Sequence, residues 1–238
     1  MDFASVIEEQ SAALAEAFRQ PGALAATVPA CPGWSGADLA WHIGEVQSFW
    51  TVVVRTPGTE PPAYRDRVRP PDADLPDWYD EVRADLVKAF RETPPDELRW
   101  TWWGSGVDTA LELCRRQAHE ALVHRWDAQS IQGTPEPLTP PGLAADGVRE
   151  FCERMLVGRA EWSGPPGVVR LAASDAGTDW LVQLDPRPAL VESADAVLAT
   201  VTAPAAELDL WVWRRPARVR VEGDEAVVAA FHALADLD

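Results

Sequence analysis

Residues 119–127 read His119-Glu120-Ala121-Leu122-Val123-His124-Arg125-Trp126-Asp127, inside a helix-favouring run from about Asp108 to Ile131. His119 and His124 are five residues apart, which places them roughly 140° apart around a regular helix. They cannot share a metal ion there. Glu120 and His124 are four apart, about 40° around and one turn along, so a carboxylate and an imidazole share a face. Such a pair can hold one divalent ion, and a catalytic zinc takes three protein ligands. The third must come from another helix.

Three further helices precede this one. Asp2 is placed to cap a run in which Phe3, Ile7, Leu14 and Phe18 form an apolar stripe that ends before Pro21. Ser35 is placed to cap a second helix carrying Leu39, Ile43, Val46 and Trp50 on one side. A third is expected from near Asp77 through Val82, Leu86 and Phe90, until Pro94 and Pro95 stop it. Trp100, Trp102, Trp103, Gly104 and Gly106 then read as a loop before the fourth helix. Four helices at these intervals suggest a bundle, in whose core metal sites are commonly built. His42 lies on the largely apolar side of the second helix, among Leu39, Ile43 and Val46. A histidine there must be paired, neutral or bound to metal. His42, Glu120 and His124 are thus a candidate His₂Glu set. Spacing alone is equally compatible with a surface Glu–His hydrogen bond and a locally satisfied core histidine. His119 faces away from Glu120, and His232 is expected on the surface of the final helix.

Gly133 to Gly142 holds four prolines and reads as a linker between domains. Beyond it the periodicity changes. Residues 143–161 look helical. Val168–Ala173, Trp180–Leu184, Ala196–Val201 and Val219–Glu222 are short, β-branched and bounded by turn signals, as strands are. Ala203–Trp213 and Asp224–Leu237 read as helices on that sheet. The expected organisation is a helical bundle over 1–132, a linker over 133–142 and an α+β domain over 143–238.

Composition narrows the function. With 21 Lys plus Arg against 38 Asp plus Glu the formal net charge is −17, the opposite of a phosphate-backbone binder's footprint, so no nucleic-acid partner is expected. Cys31, Cys114 and Cys152 are scattered and form neither a disulfide framework nor a CxxC knuckle. The first residues, MDFASVIEEQ, carry acids where a signal peptide carries basic residues. No apolar run approaches the roughly 18 residues of a membrane span. A cytoplasmic protein with no membrane partner is expected.

Two segments carry a resemblance. Pro29-Ala30-Cys31-Pro32-Gly33-Trp34-Ser35-Gly36-Ala37-Asp38-Leu39-Ala40-Trp41-His42-Ile43-Gly44 and Arg116-Gln117-Ala118-His119-Glu120-Ala121-Leu122-Val123-His124-Arg125-Trp126-Asp127-Ala128 resemble the mycothiol-dependent maleylpyruvate isomerase family. That family's N-terminal half is a DinB-like metal-binding four-helix bundle, and its second helix opens and its fourth helix runs with these patterns. The C-terminal half is similar, more loosely, to the smaller α/β sterol-carrier-like domain these proteins append. The resemblance implies that His42, Glu120 and His124 are zinc ligands, the set that helix geometry also selects. It implies an actinobacterial source, consistent with a basic complement that is almost all Arg, Lys88 being the one lysine.

The resemblance further implies that the zinc recruits the low-molecular-weight thiol mycothiol as a thiolate, which a metal ion stabilises. The enzyme would then be either a maleylpyruvate-type cis–trans isomerase or a thiol S-transferase acting on a small electrophile, a carboxylate among the candidates. Asp127 is a candidate for contacting that thiol or for supporting a ligand imidazole. One of Arg214 and Arg215 is a candidate for binding a substrate carboxylate, which suits a guanidinium fork. Cys31 and Cys114 are expected to be inert thiols. Two rivals stay open: a zinc hydrolase using metal-bound hydroxide, with Asp127 the only nearby base, and a non-enzymatic ligand-binding module. The spacing leaves oligomeric state and metal identity open, since His₂Glu ligation suits zinc, nickel or iron.

Overall fold

The computed structural model describes residues 1–133, 135–156 and 161–235. The chain divides into two compact units, Met1–Glu136 and Pro137–Asp238. Among the described residues no helix is long and apolar enough to cross a membrane.

The first unit is built from α1 (Phe3–Arg19), α2 (Gly36–Arg55), α3 (Leu75–Glu92) and α4 (Ala110–Ser130). Their starts follow local chemistry. The Asp2 carboxylate accepts the Ser5 N–H at α1. At α2, Ser35 and Asp38 form a reciprocal capping box, each side chain accepting the other's backbone N–H. Thr109 accepts the Glu112 N–H at α4. Helix α3 begins two residues before Asp77, because Pro76 fits a first turn, where no N–H is needed.

Two apolar clusters show how the helices run. One joins Ile7 of α1, Trp50 and Val54 of α2, Leu86 and Phe90 of α3, and Leu113 of α4. The other joins Leu14 and Phe18, Leu39 and Ile43, Leu75 and Tyr79, and Ala128. The start of α1 and of α4 therefore meet the ends of α2 and α3. Helices α1 and α4 run one way and lie side by side; α2 and α3 run the other way as a second adjacent pair. The connection from α2 to α3 must return along the whole bundle, roughly 30 Å for a 20-residue helix.

The Trp-rich stretch differs from the loop the sequence suggests. Strands β1 (Leu98–Trp100) and β2 (Val107–Thr109) pair antiparallel across it. Strands of three residues are too short for alternation to be read. Their pairing is closed by the neighbouring helix, whose Ala110 N–H donates to Glu97 O at 2.8 Å.

The second unit opens with α5 (Pro141–Phe151), which widens into a π-type turn over Cys152–Leu156. The helix expected over 143–161 thus loses its α geometry after Phe151, and its residues 157–160 lie outside the described residues. A five-stranded mixed sheet follows: β3 (Val168–Ala173), β4 (Thr178–Gln183), β5 (Ala189–Val191), β6 (Val197–Ala203) and β7 (Arg220–Gly223), in the order β5-β4-β3-β6-β7. Only β3 and β6 pair in parallel, at the centre, with Val169 and Leu171 opposite Ala199 and Val201. Strand β5 has no counterpart in the sequence reading, being three residues beside Pro186 and Pro188. Helix α6 (Ala205–Val212) packs against β3 and β6, and α7 (Glu225–His232) against β6 and β7. The expected final helix to Leu237 ends as α-helix at His232; residues 236–238 lie outside the described residues.

Candidate metal centre

His42 stands two turns into α2, and Glu120 and His124 stand one turn apart on α4. Each offers one donor atom, and the three atoms lie within 4.8 Å of one another. Glu120 Oε1 is 3.2 Å from His124 Nε2 and 3.7 Å from His42 Nε2. The two imidazole rings meet edge to face with centroids 5.2 Å apart. His42 is the most accessible of the three, its side chain 35% exposed against 16% for Glu120 and 10% for His124.

The far sides of these groups are also engaged. Asp127, fully buried, places Oδ2 at 2.9 Å from His124 Nδ1, and the Cys31 thiol donates to the same oxygen at 3.8 Å. With a proton on Nδ1, His124 turns its Nε2 lone pair toward Glu120 and His42, as a ligand imidazole must. The Arg116 guanidinium bonds the other Glu120 oxygen, Oε2. Burial by itself would raise the Glu120 pKa, but Arg116 and then His124 hold the carboxyl well below its usual range. Burial likewise disfavours charge on His124, yet Glu120 and Asp127 lift its pKa to about 9. Two convergent imidazole nitrogens, an ionised carboxylate and a carboxylate behind one imidazole are a candidate donor set for a divalent metal ion.

The other residues singled out from the sequence lie elsewhere. His119 is fully buried and packs edge-on against Phe3 of α1, ring centroids 6.1 Å apart. Arg125, also buried, donates to Gln10 and Gln129 at 2.9 and 2.7 Å and ties α4 to α1. Trp103 joins the apolar cluster and donates to Asp108 at 3.0 Å, whereas Trp102 is exposed. In the second unit, His232 is half-buried and stacks on Trp211. Arg214 adopts a left-handed backbone (φ 58°), and its guanidinium donates to His232 O and Ala235 O at the end of α7. Arg215 donates to Trp213 O at 2.7 Å.

Comparison with known proteins agrees with this architecture. The model of the mycothiol maleylpyruvate isomerase N-terminal domain matches residues 5–129, and that of the MDMPI C-terminal domain matches residues 142–230. The chain belongs to the mycothiol maleylpyruvate isomerase family. The fold is similar to the crystal structure of a mycothiol-dependent maleylpyruvate isomerase, with a TM-score of 0.64 at 15% identity, over 93% of this chain and 92% of that one. It is equally similar to a histidine-to-alanine mutant of such an enzyme, with a TM-score of 0.64 at 14% identity and the same coverage of each chain. No curated protein matches.

Within this family framework, three residues around the candidate centre escaped the sequence reading. Arg116 was part of the motif but had no role; an Arg four residues before a Glu on a helix is the signal that could have assigned one. Trp34 was quoted only as part of the motif, and its ring lies against His42 with centroids 4.8 Å apart. Cys31 was expected to be an inert thiol; nothing in sequence spacing links it to Asp127, 96 residues away.

Proposed function

We propose that this chain is a metal-dependent enzyme of thiol chemistry. His42, Glu120 and His124 would hold Zn²⁺ or a similar divalent ion, mycothiol would be the thiol, and the reaction would be maleylpyruvate-type cis–trans isomerisation or S-transfer to a small electrophile. The observation that carries this reading is the convergence of the three donor atoms, from two helices, within 4.8 Å. A divalent ion held there would favour the thiolate form of a bound thiol near neutral pH, converting a weak nucleophile into a strong one.

The surrounding residues support that use. Asp127 would fix the tautomer and rotation of the His124 ring, with the Cys31 thiol anchoring it from behind. The ion pair with Arg116 keeps Glu120 ionised before any cation arrives. The placement of Asp127 against Nδ1 argues against the hydrolase reading, which needs a base beyond the ligands to activate water. For a carboxylate substrate, one of Arg214 and Arg215 would supply the binding guanidinium fork.

The test is metal analysis of protein purified without added metal, followed by turnover of maleylpyruvate with and without mycothiol. About one zinc per chain and a rate that depends on the thiol are expected. His42→Ala should lose the metal and the thiol-dependent rate while keeping the helical circular dichroism. Protein that takes up no divalent ion, or equal rates with and without mycothiol, would overturn the proposal. Of Arg214→Ala and Arg215→Ala, one should raise KM for maleylpyruvate by about tenfold or more, as the loss of a charge-assisted carboxylate contact does; unchanged KM in both would rule out either arginine as the carboxylate's partner.

A further inference from the structure

The two oxygens of Glu120 have different surroundings. Oε1 faces both candidate ligand imidazoles, at 3.2 and 3.7 Å. Oε2 points the other way and accepts an N–H from Arg116. The Arg116 side chain is 6% exposed and sits one helical turn before Glu120 on α4, so the helix itself fixes the spacing of the pair. A guanidinium so buried is held by its partners, because water is not there to replace them.

From this we infer that Arg116 is a positioning residue that restricts Glu120 to one-oxygen ligation and so keeps a coordination position available for the thiol. The inference rests on the metal reading above. A carboxylate free on both sides can chelate an ion through both oxygens. For Glu120 to do so, Oε2 would have to leave a dehydrated charge-assisted hydrogen bond, and the guanidinium would lose that partner. Three single-atom ligands leave one position of a tetrahedral site open; a chelating carboxylate would tend to fill it. Arg116 has a second effect of the same sign. Its positive charge draws electron density from the carboxylate, so the ion is neutralised less by its ligand and polarises a bound thiol more strongly.

The test uses Co²⁺ as a coloured substitute for zinc in the full-length protein. Wild type should take up about one cobalt and show the strong visible absorption of a low-coordinate ion. Arg116→Met, which keeps length and suits burial, should still bind cobalt but absorb several-fold more weakly. Its thiolate-to-cobalt band should need about tenfold more mycothiol to saturate, and Arg116→Lys, which retains the charge, should recover part of both signals. Identical absorption and identical thiol titration in wild type and Arg116→Met would overturn the inference while leaving the metal reading intact. A wild type that binds no cobalt would overturn both. Should Arg116→Met fail to fold, a crystal structure of cobalt-loaded wild type decides: one Glu120 oxygen on the ion upholds the inference, and two overturn it.

Discussion

At the scale of single residues, the candidate centre is a set of polar groups on buried or half-buried helix faces, each with a specific partner. Asp127 shows how much depends on such a partner. It touches no donor atom directly, but it faces the ring nitrogen that must carry the proton when His124 is a ligand. Asp127→Asn should therefore weaken zinc binding by about 10–100-fold in calorimetric titration, with little change in helix content. The cysteines divide by the same logic. Burial pushes the thiols of Cys114 and Cys152 up to about 12, and Cys31 is half-buried. One thiol per chain should react with a disulfide reagent at pH 8 in the native protein, and all three after denaturation. Rapid native reaction of two or more would contradict the burial of Cys114 in α4 and of Cys152 in the π-type turn after α5.

At the scale of elements, α2 carries His42 and has to be held both at its start and along its side. The start is the Ser35–Asp38 box, extended by Arg69, which donates to Asp38 at 2.7 Å. Arg69 first, and then the Ser35 N–H and hydroxyl, hold the Asp38 pKa down at about 2. A carboxyl with a depressed folded pKa stabilises above its unfolded value, and that contribution disappears as pH falls through the folded one. The contribution should be lost between about pH 4 and about pH 2, and chemical denaturation of Asp38→Asn should show a shallower pH dependence in that window. The side of α2 meets α3 at Gly44, where a Cβ would stand 2.3 Å from the Trp78 ring. Trp78 is itself stacked on Trp41, the neighbour of His42, at 5.1 Å. In an unpacked helix Gly→Ala stabilises by about 1 kcal/mol. Gly44→Ala should instead destabilise by about 1–3 kcal/mol in urea unfolding, because the overlap with an aromatic ring outweighs the propensity gain. A stabilised Gly44→Ala would show that α2 and α3 do not approach so closely.

At the scale of the whole molecule, the chain is two compact units with different folds, and all three donor residues lie in the first. Residues 1–136 expressed alone should unfold cooperatively and bind one divalent ion with an affinity within about tenfold of the full chain, measured by calorimetry, since all three candidate ligands lie in the first unit. A fragment that folds but binds no ion would show that the second unit completes the centre. The net charge of −17 gains a local meaning beside this. An acidic protein is a poor general attractor of anions, so positive charge at the site must be local, as Arg116 is beside Glu120.

The sequence by itself determined the helical first half, most strands of the second and the pairing of Glu120 with His124. Caps, breakers and the 3.6- and 2-residue periods are local properties that residue identity expresses directly. Tertiary structure decided the rest. It alone fixed the direction of α2 and α3, the pairing of β1 with β2, and the approach of His42 to α4. It also engaged Arg116, Trp34 and Cys31 around the centre. Helix α4 shows why. Its buried residues include Arg115, Arg116, Gln117, His119, His124, Arg125 and Asp127, so hydrophobicity marks no inward face. Which polar side chain meets which depends on contacts between residues up to 115 positions apart, and local periodicity carries no record of those.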